Sequence, residues 1–405
     1  MTPPPTVAFV SPPETGHFAR LRAPIAGVVA AGWRAVVFTH EKFRDITEAC
    51  GGTFHDLYGP YPLDEADAES TPRGIRQVSY AGRFAGEVAA ALAEVDPALI
   101  VYDGFALVAP VAARRLGVPY VCVCAGHNLR AERFREAIHR DVDVRVSARC
   151  EAAVAVLRAR HGLADASPFS YMAATSPFLN LYCEPEEYLA PDMRERLEPV
   201  ECFGSMAPDG ARPPPAGPAF TASVSGARRV YVSFGTVIWR CFSAEAGRAL
   251  RAITRVLADR GDAEILVSLG GYAGEVPDLE APGVRVAPYV DQWQALAEAD
   301  LFVTHHGLNS THEAVARRVP MLSYPFFWDQ PGLAARCAEL GFAEPIVSEL
   351  RAPIAPGDVE RALARLDARA EERRERLDEA AMWERRVVER RPAVIRRMLE
   401  LARRS

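Results

Sequence analysis

Two parts of the sequence begin in the same way, and this restricts the fold more than any other feature. Each opens with a short apolar run, at residues 6–10 and 228–236, that is typical of a buried β-strand. A helical stretch follows each run, at 18–31 and 244–260, and then a second strand. Strand, helix and strand joined by short connections are typical of a parallel sheet covered by helices. The sequence therefore predicts an α/β protein.

Between these two parts the composition changes, which indicates a domain boundary. Residues 207–227 contain five prolines and little periodicity, as in a linker. We therefore predict an N-terminal domain at 1–206, a C-terminal domain at 228–375 and a helical tail at 376–405. The tail is rich in Arg and Glu, which we interpret as a solvated helical face. We expect Pro392 to interrupt it, and whether the tail packs back on the N-terminal domain is left open.

Charge and cysteine content exclude several classes of protein. The 405 residues include 47 basic and 53 acidic ones, giving a net charge of −6 and no overall positive field toward nucleic acid or anionic lipid. No run of ~18 apolar residues predicts membrane insertion, and the N-terminus lacks the features of a signal peptide. The eight cysteines are scattered without a C-x-x-C pair, which argues against a disulfide scaffold or a zinc site. A cytoplasmic protein is expected.

The segment 304–330, THHGLNSTHEAVARRVPMLSYPFFWDQ, carries the clearest chemical signal. It follows an apolar strand and opens a helix, so Gly307 and residues 309–311 fall in the strand-to-helix turn. Amides of a first helical turn form an anion site that suits a diphosphate without a metal. Glu313 could accept two sugar hydroxyls, and residues 329–330 follow another strand end, where open α/β sheets bind ligands. Taken alone, residues 309–311 could equally be a helix cap.

The whole segment resembles the donor-nucleotide signature of the UDP-glycosyltransferase superfamily, glycosyltransferase family one, which includes bacterial natural-product and antibiotic glycosyltransferases. The resemblance implies the GT-B fold, in which two Rossmann-like domains face each other across an interdomain cleft. It also implies which residues bind the donor. A ring nitrogen of His305 would contact the phosphates, and the diphosphate would be bound by Gly307, Asn309, Ser310 and Thr311. Glu313 would bind the ribose, and Asp329 and Gln330 would bind the transferred sugar. His312 is expected to be an exposed helix residue.

Two further segments match the same family. Pro288 to Gln292 occupies the place of its W-x-P-Q stretch, with Tyr289 for the Trp, so Tyr289 and Gln292 are implied to contact the nucleotide; Tyr289 could also be a plain strand residue. The V-S-F-G-T run at 232–236 matches the family's first turn of the C-terminal domain. It implies close backbone approach at Gly235 and a hydroxyl from Thr236 for phosphate or sugar.

The resemblance extends to the N-terminal half through Gly16 and His17, directly after the first strand. It implies that His17 is the general base and that Asp103, at the end of a later strand, orients it. Asp103 could instead cap the following helix. The sequence departs from the family at Arg20, where many members have proline. Four aromatic residues could line an acceptor pocket or belong to the core: Phe105, Phe134, Phe169 and Tyr171.

The implied activity is inverting, metal-independent transfer of a sugar from a UDP- or dTDP-sugar to a hydroxyl, or another nucleophile, of a small hydrophobic natural product. No cofactor is expected, because the nucleotide sugar is a substrate, and a homodimer is left open. Asp141-Val142-Asp143 has the D-x-D pattern of metal-binding glycosyltransferases, but it lies in a charged helical stretch, so we expect no metal there. Two alternatives are an NDP-sugar 2-epimerase of the same fold and a non-catalytic nucleotide-sugar-binding accessory protein.

Overall fold

The computed structural model describes residues 4–141, 143–172, 174–206, 219–221, 226–274, 276 and 278–403. The chain divides into two compact units, residues 1–212 together with 387–405, and residues 213–386. We refer to them as the first and the second unit. Most of the predicted linker at 207–227, namely 207–218 and 222–225, lies outside the described residues.

The first unit is built on a parallel sheet of seven strands. These are β1 (Thr6–Val10), β2 (Arg34–Thr39), β3 (Thr53–Asp56), β4 (Pro97–Asp103), β5 (Tyr120–Val123), β6 (Leu179–Tyr182) and β7 (Val200–Cys202). Their order across the sheet is β3-β2-β1-β4-β5-β6-β7. Every residue of β1 is buried, as expected for an apolar strand covered on both faces. The order reverses between β1 and β4, which is the point where open α/β sheets bind ligands.

Among the described residues, eight α-helices connect these strands. They are α1 (Thr15–Ala30), α2 (Arg44–Ala49), α3 (Leu63–Ala66), α4 (Arg76–Ala93), α5 (Val108–Leu116), α6 (Ala131–Asp141), α7 (Ala148–His161) and α8 (Pro191–Leu197). The ends of α7 show the local reasons for such boundaries. The Ser147 side chain accepts a hydrogen bond from the amide of Cys150, and Gly162 ends the helix at φ 64°, a conformation that glycine adopts without strain.

The second unit has a parallel sheet of six strands. These are β8 (Arg228–Ser233), β9 (Ala263–Ser268), β10 (Val284–Ala287), β11 (Leu301–Thr304), β12 (Met321–Ser323) and β13 (Ala343–Pro345). Their order is β10-β9-β8-β11-β12-β13, so β8 and β11 form the central pair. The helices are α9 (Ile238–Cys241), α10 (Ser243–Asp259), α11 (Gln292–Glu298), α12 (Leu308–Ala316), α13 (Gln330–Glu339), α14 (Pro356–Ala368) and α15 (Ala370–Leu401). Two units of this kind confirm the predicted α/β class.

The C-terminal tail differs from the prediction, because Pro392 does not interrupt it. Helix α15 runs through this proline, and the break falls at Arg369, between α14 and α15. Proline has no N–H for the carbonyl four residues earlier, at Val388. Because Pro392 is exposed, water can reach that carbonyl and the helix continues.

The last part of α15 belongs to the first unit, which includes residues 387–405. The Arg391 guanidinium donates hydrogen bonds to the carbonyls of Phe203 (2.8 Å) and Met206 (2.9 Å), and it lies over the Phe203 ring at 5.0 Å. Val387 packs in an apolar cluster with residues of β7 and α8. These contacts anchor the tail to the segment that follows β7.

Candidate functional site

In the second unit, most of the residues predicted to bind the donor lie at the carboxyl edge of the sheet. The turn after β8 holds Gly235 and Thr236, and the segment after β10 holds Tyr289 and the start of α11. The turn after β11 leads into α12, and the segment after β12 leads into α13. Parallel strands present these ends on one edge of the sheet, which is where ligands bind in open α/β folds.

The turn between β11 and α12 presents backbone amides at a helix start. Gly307 is the N-cap residue, and the first amide bonded within the helix is that of Thr311, which donates to the Gly307 carbonyl (2.9 Å). The helix therefore does not use the amides of residues 308–310 in its own hydrogen bonds. Together with the helix dipole, such amides favour an anion such as a diphosphate.

Thr311, which is predicted to bind the diphosphate, has hydrogen-bond partners within the protein. Its side chain is fully buried, and its hydroxyl donates to the Gly307 carbonyl (3.2 Å) and lies 3.3 Å from Nδ1 of His306. As the fourth residue of the helix, Thr311 already uses its amide within the helix. The amide and the hydroxyl of Thr311 therefore both have partners within the turn and the helix, and its contact with a phosphate stays a prediction.

The two adjacent histidines have different surroundings. His306 adopts φ 59° and is fully buried, with Nε2 2.7 Å from Oγ of Ser323 in β12. It therefore links the β11 turn to the next strand. Burial lowers the pKa of His305 to about 4 and that of His306 to about 3. Both imidazoles are neutral at pH 7, so His305 could meet a phosphate as a hydrogen-bond donor and not as a cation.

Glycine is required in the β8 turn for reasons of space. Gly235 has φ 68°, and a Cβ atom there would lie 2.8 Å from the His305 ring. A Cβ atom on Gly270, in the turn after β9, would lie 2.1 Å from the Gly235 carbonyl oxygen. The β8 turn thus lies directly against the His305 ring of the β11 turn and against the backbone of the β9 turn. Thr236, the next residue of the β8 turn, is exposed.

A polar network joins three of the predicted donor residues. The Gln292 amide Nε2 donates to Oε2 of Glu313 (2.7 Å), and the Ser310 hydroxyl donates to Oε1 of Gln292 (3.2 Å). Tyr289 lies outside β10 and is 73% exposed, so it is not a strand residue. The structure brings the side chains of Gln292, Ser310 and Glu313 together, as a ribose site would require.

The pair after β12 occupies the start of α13. Asp329 is the N-cap residue, and Gln330 is 7% exposed. Oε1 of Gln330 accepts hydrogen bonds from the amides of Phe326 (3.0 Å) and Phe327 (3.3 Å). The Gln330 oxygen therefore shapes its own loop, which leaves the Nε2 group as the part of this side chain that could meet a sugar hydroxyl.

His312 was expected to be exposed, and this was wrong. It is fully buried, with Nδ1 2.6 Å from Oε1 of Glu384, a buried residue of α15. On α12 the buried positions include Leu308, Thr311, His312 and Val315, which follow the i, i+3, i+4, i+7 spacing of one helix face. That spacing could have revealed the burial of His312 from the sequence.

In the first unit, the predicted pair of His17 and Asp103 is in contact. His17 lies in the first turn of α1, after β1, and Asp103 is the last residue of β4. Nδ1 of His17 is 2.8 Å from Oδ1 of Asp103, and the same oxygen accepts the amide of Phe105 (3.0 Å). One carboxylate oxygen thus serves both alternatives, the dyad and the cap. Burial alone would raise the pKa of Asp103, but His17 and Arg20 lower it below its ordinary value.

Arg20 is a member of this cluster that the sequence reasoning did not assign. It is 6% exposed, its Nη2 lies 3.9 Å from Oδ2 of Asp103, and its Nη1 donates to the Ala125 carbonyl. The signal was its spacing: it lies three residues after His17, on the same face of a helix.

A mostly apolar cavity of about 210 Å³, lined also by Glu132 and Arg196, lies beside the dyad. Its lining includes Phe105, Cys122, Cys124, Leu129, Met172 and Met193. The Phe105 ring is 4.4 Å from the His17 ring, so one wall of the cavity adjoins the imidazole. The other aromatic candidates, Phe134, Phe169 and Tyr171, are buried and do not line this cavity, so they belong to the core.

The D-x-D motif is only partly described, because Val142 and the Asp141 side chain lie outside the described residues. Asp143 is exposed and lies 3.8 Å from Arg145. Within the described ranges, no group of three His, Cys, Asp or Glu side chains could hold a metal ion. Across the same part of the chain, no helix combines the length and apolarity needed to cross a membrane.

Comparison with known proteins identifies relatives of both sequence and fold. Residues 197–366 match the family model described as UDP-glucoronosyl and UDP-glucosyl transferase. The chain is 28% identical over 371 residues to the oleandomycin glycosyltransferase of Streptomyces antibioticus, covering 86% of this chain and 80% of the relative. It is 31% identical over 137 residues to a zeaxanthin glucosyltransferase of Pseudescherichia vulneris, covering 33% of this chain and only 31% of that relative.

Solved structures show the same fold over nearly the whole chain. The glycotransferase of kitacinnamycin has a TM-score of 0.73 at 21% identity, covering 98% of this chain and 99% of that one. The calicheamicin glycosyltransferase has a TM-score of 0.69 at 20% identity, with 96% of each chain covered. A Streptomyces sp. SF2575 glycosyltransferase solved with thymidine diphosphate has a TM-score of 0.60 at 16% identity, covering 94% and 95%. The predicted GT-B fold class is confirmed.

Proposed function

We propose that the chain, whose residues 197–366 match the model of UDP-glucoronosyl and UDP-glucosyl transferases, is an inverting, metal-independent glycosyltransferase that moves a sugar from a dTDP- or UDP-sugar to a hydroxyl of a small hydrophobic natural product. The observation that carries this proposal is the contact between His17 and the buried Asp103 beside a mostly apolar cavity. A nucleotide-binding protein without catalysis has no need of an oriented imidazole at that place.

The donor would bind at the carboxyl edge of the second unit's sheet. The amides of residues 308–310 and the neutral His305 would hold the diphosphate, close to the bare backbone of Gly235. The network of Gln292, Ser310 and Glu313 would take the ribose, and the exposed Tyr289 ring would stack on the base. Asp329 and Nε2 of Gln330 would bind hydroxyls of the sugar.

The acceptor would occupy the cavity beside His17. Asp103 accepts the Nδ1 proton of His17, so Nε2 carries the lone pair that a general base needs. In the proposed step the acceptor hydroxyl gives its proton to Nε2 while its oxygen forms a bond to the anomeric carbon. The bond from that carbon to the diphosphate breaks on the opposite face, so the anomeric configuration inverts. The amides at the start of α12 stabilise the charge that develops on the leaving diphosphate.

Binding of the nucleotide is tested first, by calorimetric titration with dTDP, UDP and ADP. Because a similar fold was solved with thymidine diphosphate, dTDP is the first probe. We expect binding of dTDP or UDP in the presence of EDTA, and weaker binding of ADP. No binding of any of the three, or binding that EDTA abolishes, would contradict the proposed donor site.

Catalysis is tested with a dTDP- or UDP-sugar and a panel of macrolide and aromatic aglycones, by following nucleoside diphosphate release and glycoside formation. His17→Ala should lower turnover ~10²–10⁴-fold while nucleotide affinity is kept. The matched control is His40→Ala, a histidine at the end of β2 outside the dyad. Diphosphate release that does not depend on the acceptor would favour the epimerase alternative, and near-normal turnover of His17→Ala would refute the base assignment.

A further inference from the structure

Arg20 is a buried cation in a helix whose other buried residues are mostly apolar. It lies one turn after His17 on α1, and its Nη1 donates to the Ala125 carbonyl, just beyond β5. A buried charge is unfavourable unless it is paired. The guanidinium therefore has to be explained by the groups that it faces.

The group that it faces is the second oxygen of Asp103. Oδ1 of this carboxylate already receives His17 Nδ1 and the Phe105 amide. Oδ2 is buried and has no hydrogen-bond partner among the described residues, and Nη2 of Arg20 lies 3.9 Å from it. The carboxylate thus has an imidazole on one oxygen and a guanidinium beside the other.

This arrangement matters because of the field of the carboxylate. A buried anion 2.8 Å from an imidazole favours the protonated, cationic form of that imidazole. A protonated His17 could not accept a proton from the acceptor. A guanidinium on the far side of the carboxylate offsets its charge but leaves the hydrogen bond that orients the ring in place.

We propose that Arg20 is a positioning residue that balances the charge of Asp103 and thereby keeps His17 neutral, with Nε2 ready to accept a proton, near pH 7. This rests on the proposed function, in which His17 is the general base. Arg20 acts through Asp103 and does not touch the reacting atoms.

The other titratable groups around the pair do not replace Arg20. Tyr58, Cys124 and Cys183 face Asp103 or Arg20 from the segments after β3, β5 and β6. Burial raises the pKa of Tyr58 and of Cys183, and contact with Cys122 together with burial raises that of Cys124, so all three are neutral at pH 7. Glu14, just before α1, is 3.6 Å from Arg73, which offsets its charge.

The test measures the pKa of His17 directly, so it needs no acceptor. Imidazole ¹⁵N shifts of the full-length protein are followed by NMR across pH, with the His17 signals assigned by their loss in His17→Gln. A charge within ~4–6 Å shifts a pKa by about 1–3 units, and Arg20, which carries the same charge as a protonated His17, disfavours that protonated form from across Asp103. We therefore expect Arg20→Gln to raise the His17 pKa by about one unit.

Three more variants make the result decisive. Arg20→Met removes the charge with an apolar chain and should give the same rise, which covers the case in which Arg20→Gln does not fold. Arg20→Lys keeps the charge and should bring the His17 pKa back toward the wild-type value. Arg22→Gln is the matched control: Arg22 is on the same helix but interacts with Cys50, so the His17 pKa should not change.

An unchanged His17 pKa in Arg20→Gln or Arg20→Met would overturn the inference, since a purely structural role would lower the melting temperature without moving this titration. The proposed function fails on a different measurement, full turnover of His17→Ala. Once an acceptor is found, the acidic limb of the kcat/KM profile should move to higher pH by the same shift in Arg20→Gln.

Discussion

We predict that acid lowers the free energy of unfolding of the second unit, because the two histidines after β11 are buried and neutral. His305 and His306 have pKa values of about 4 and about 3 in the folded protein, against an ordinary value of 6.5, because burial disfavours the charged ring. In the unfolded chain both rings take up a proton below about pH 6.5, whereas the folded unit takes up little until about pH 4. The free energy of unfolding is therefore at its full value above pH 6.5 and falls as the pH is lowered toward the folded pKa values.

The loss of stability at pH 5 can be calculated because pH 5 lies 1.5 units below 6.5, the pKa of histidine in the unfolded chain. At ~1.36 kcal/mol per unit, each histidine lowers the free energy of unfolding by about 2 kcal/mol, and the two together by about 4 kcal/mol. Any folded pKa at or below about 4 gives nearly the same result, because at pH 5 the ring is then protonated almost only in the unfolded chain.

Tryptophan fluorescence can follow the second unit alone. Trp33 lies in the first unit, and the other four tryptophans, at 239, 293, 328 and 383, lie in the second. Urea unfolding of the Trp33→Phe protein is measured at pH 8 and at pH 5. His306→Asn, which suits φ 59°, should be less stable at pH 8 because the Ser323 contact is lost. Its loss of stability between pH 8 and pH 5 should be about 2 kcal/mol smaller than in the Trp33→Phe parent.

The control is His40→Asn, which removes a histidine from the first unit and should leave the pH dependence of the second unit as it was. Carboxylates that titrate near pH 5 act equally in parent and variant, so the difference between the two isolates the imidazole. If His306→Asn loses as much stability between pH 8 and pH 5 as its parent, the reasoning about this buried ring is refuted.

Two further predictions concern α12. Glu384→Ala leaves the buried His312 without its carboxylate, which should lower the free energy of unfolding by about 3–5 kcal/mol and the melting temperature by roughly 10 °C. The control is Glu379→Ala, at an exposed position of the same helix. Equal melting temperatures for the two variants would contradict the pairing of His312 with Glu384. Ser310→Ala removes the link to Gln292 and should weaken nucleotide binding about three- to tenfold in calorimetry, whereas Thr311→Val should change it less than about twofold. A larger loss in Thr311→Val would support the predicted role of Thr311 in binding the diphosphate.

Much of the candidate site could be predicted because strand ends position it. His17 lies shortly after β1 and Asp103 is the last residue of β4. These two strands are neighbours in the sheet, so their carboxyl ends lie on one edge. The turn after β11 could be predicted for the same reason. In each case the sequence defines where a strand ends, and the sheet brings the ends together.

Side-chain direction within a helix was predicted less well. Thr311 was assigned to the phosphate by its motif position, but as the fourth residue of a helix it has a bonded amide and an inward side chain. His312 faces inward for the same helical reason, and its partner Glu384 lies 72 residues away, which no local pattern reveals. In the sequence, Arg20 is distinguished only as a departure from the family pattern, since its role depends on a carboxylate oxygen in another element.

Helix α15 also has a consequence for building hybrid enzymes. Its residues up to 386 are part of the second unit, and those from 387 complete the first. An exchange of first units between two such proteins cannot be made by a single crossover near residue 212, because Phe203 and Met206 of the transplanted segment would then face the other parent's residue at position 391. The exchange has to take residues 1–212 and 387–405 from the same parent. The part that can be exchanged as a unit is therefore encoded by two separate stretches of the gene.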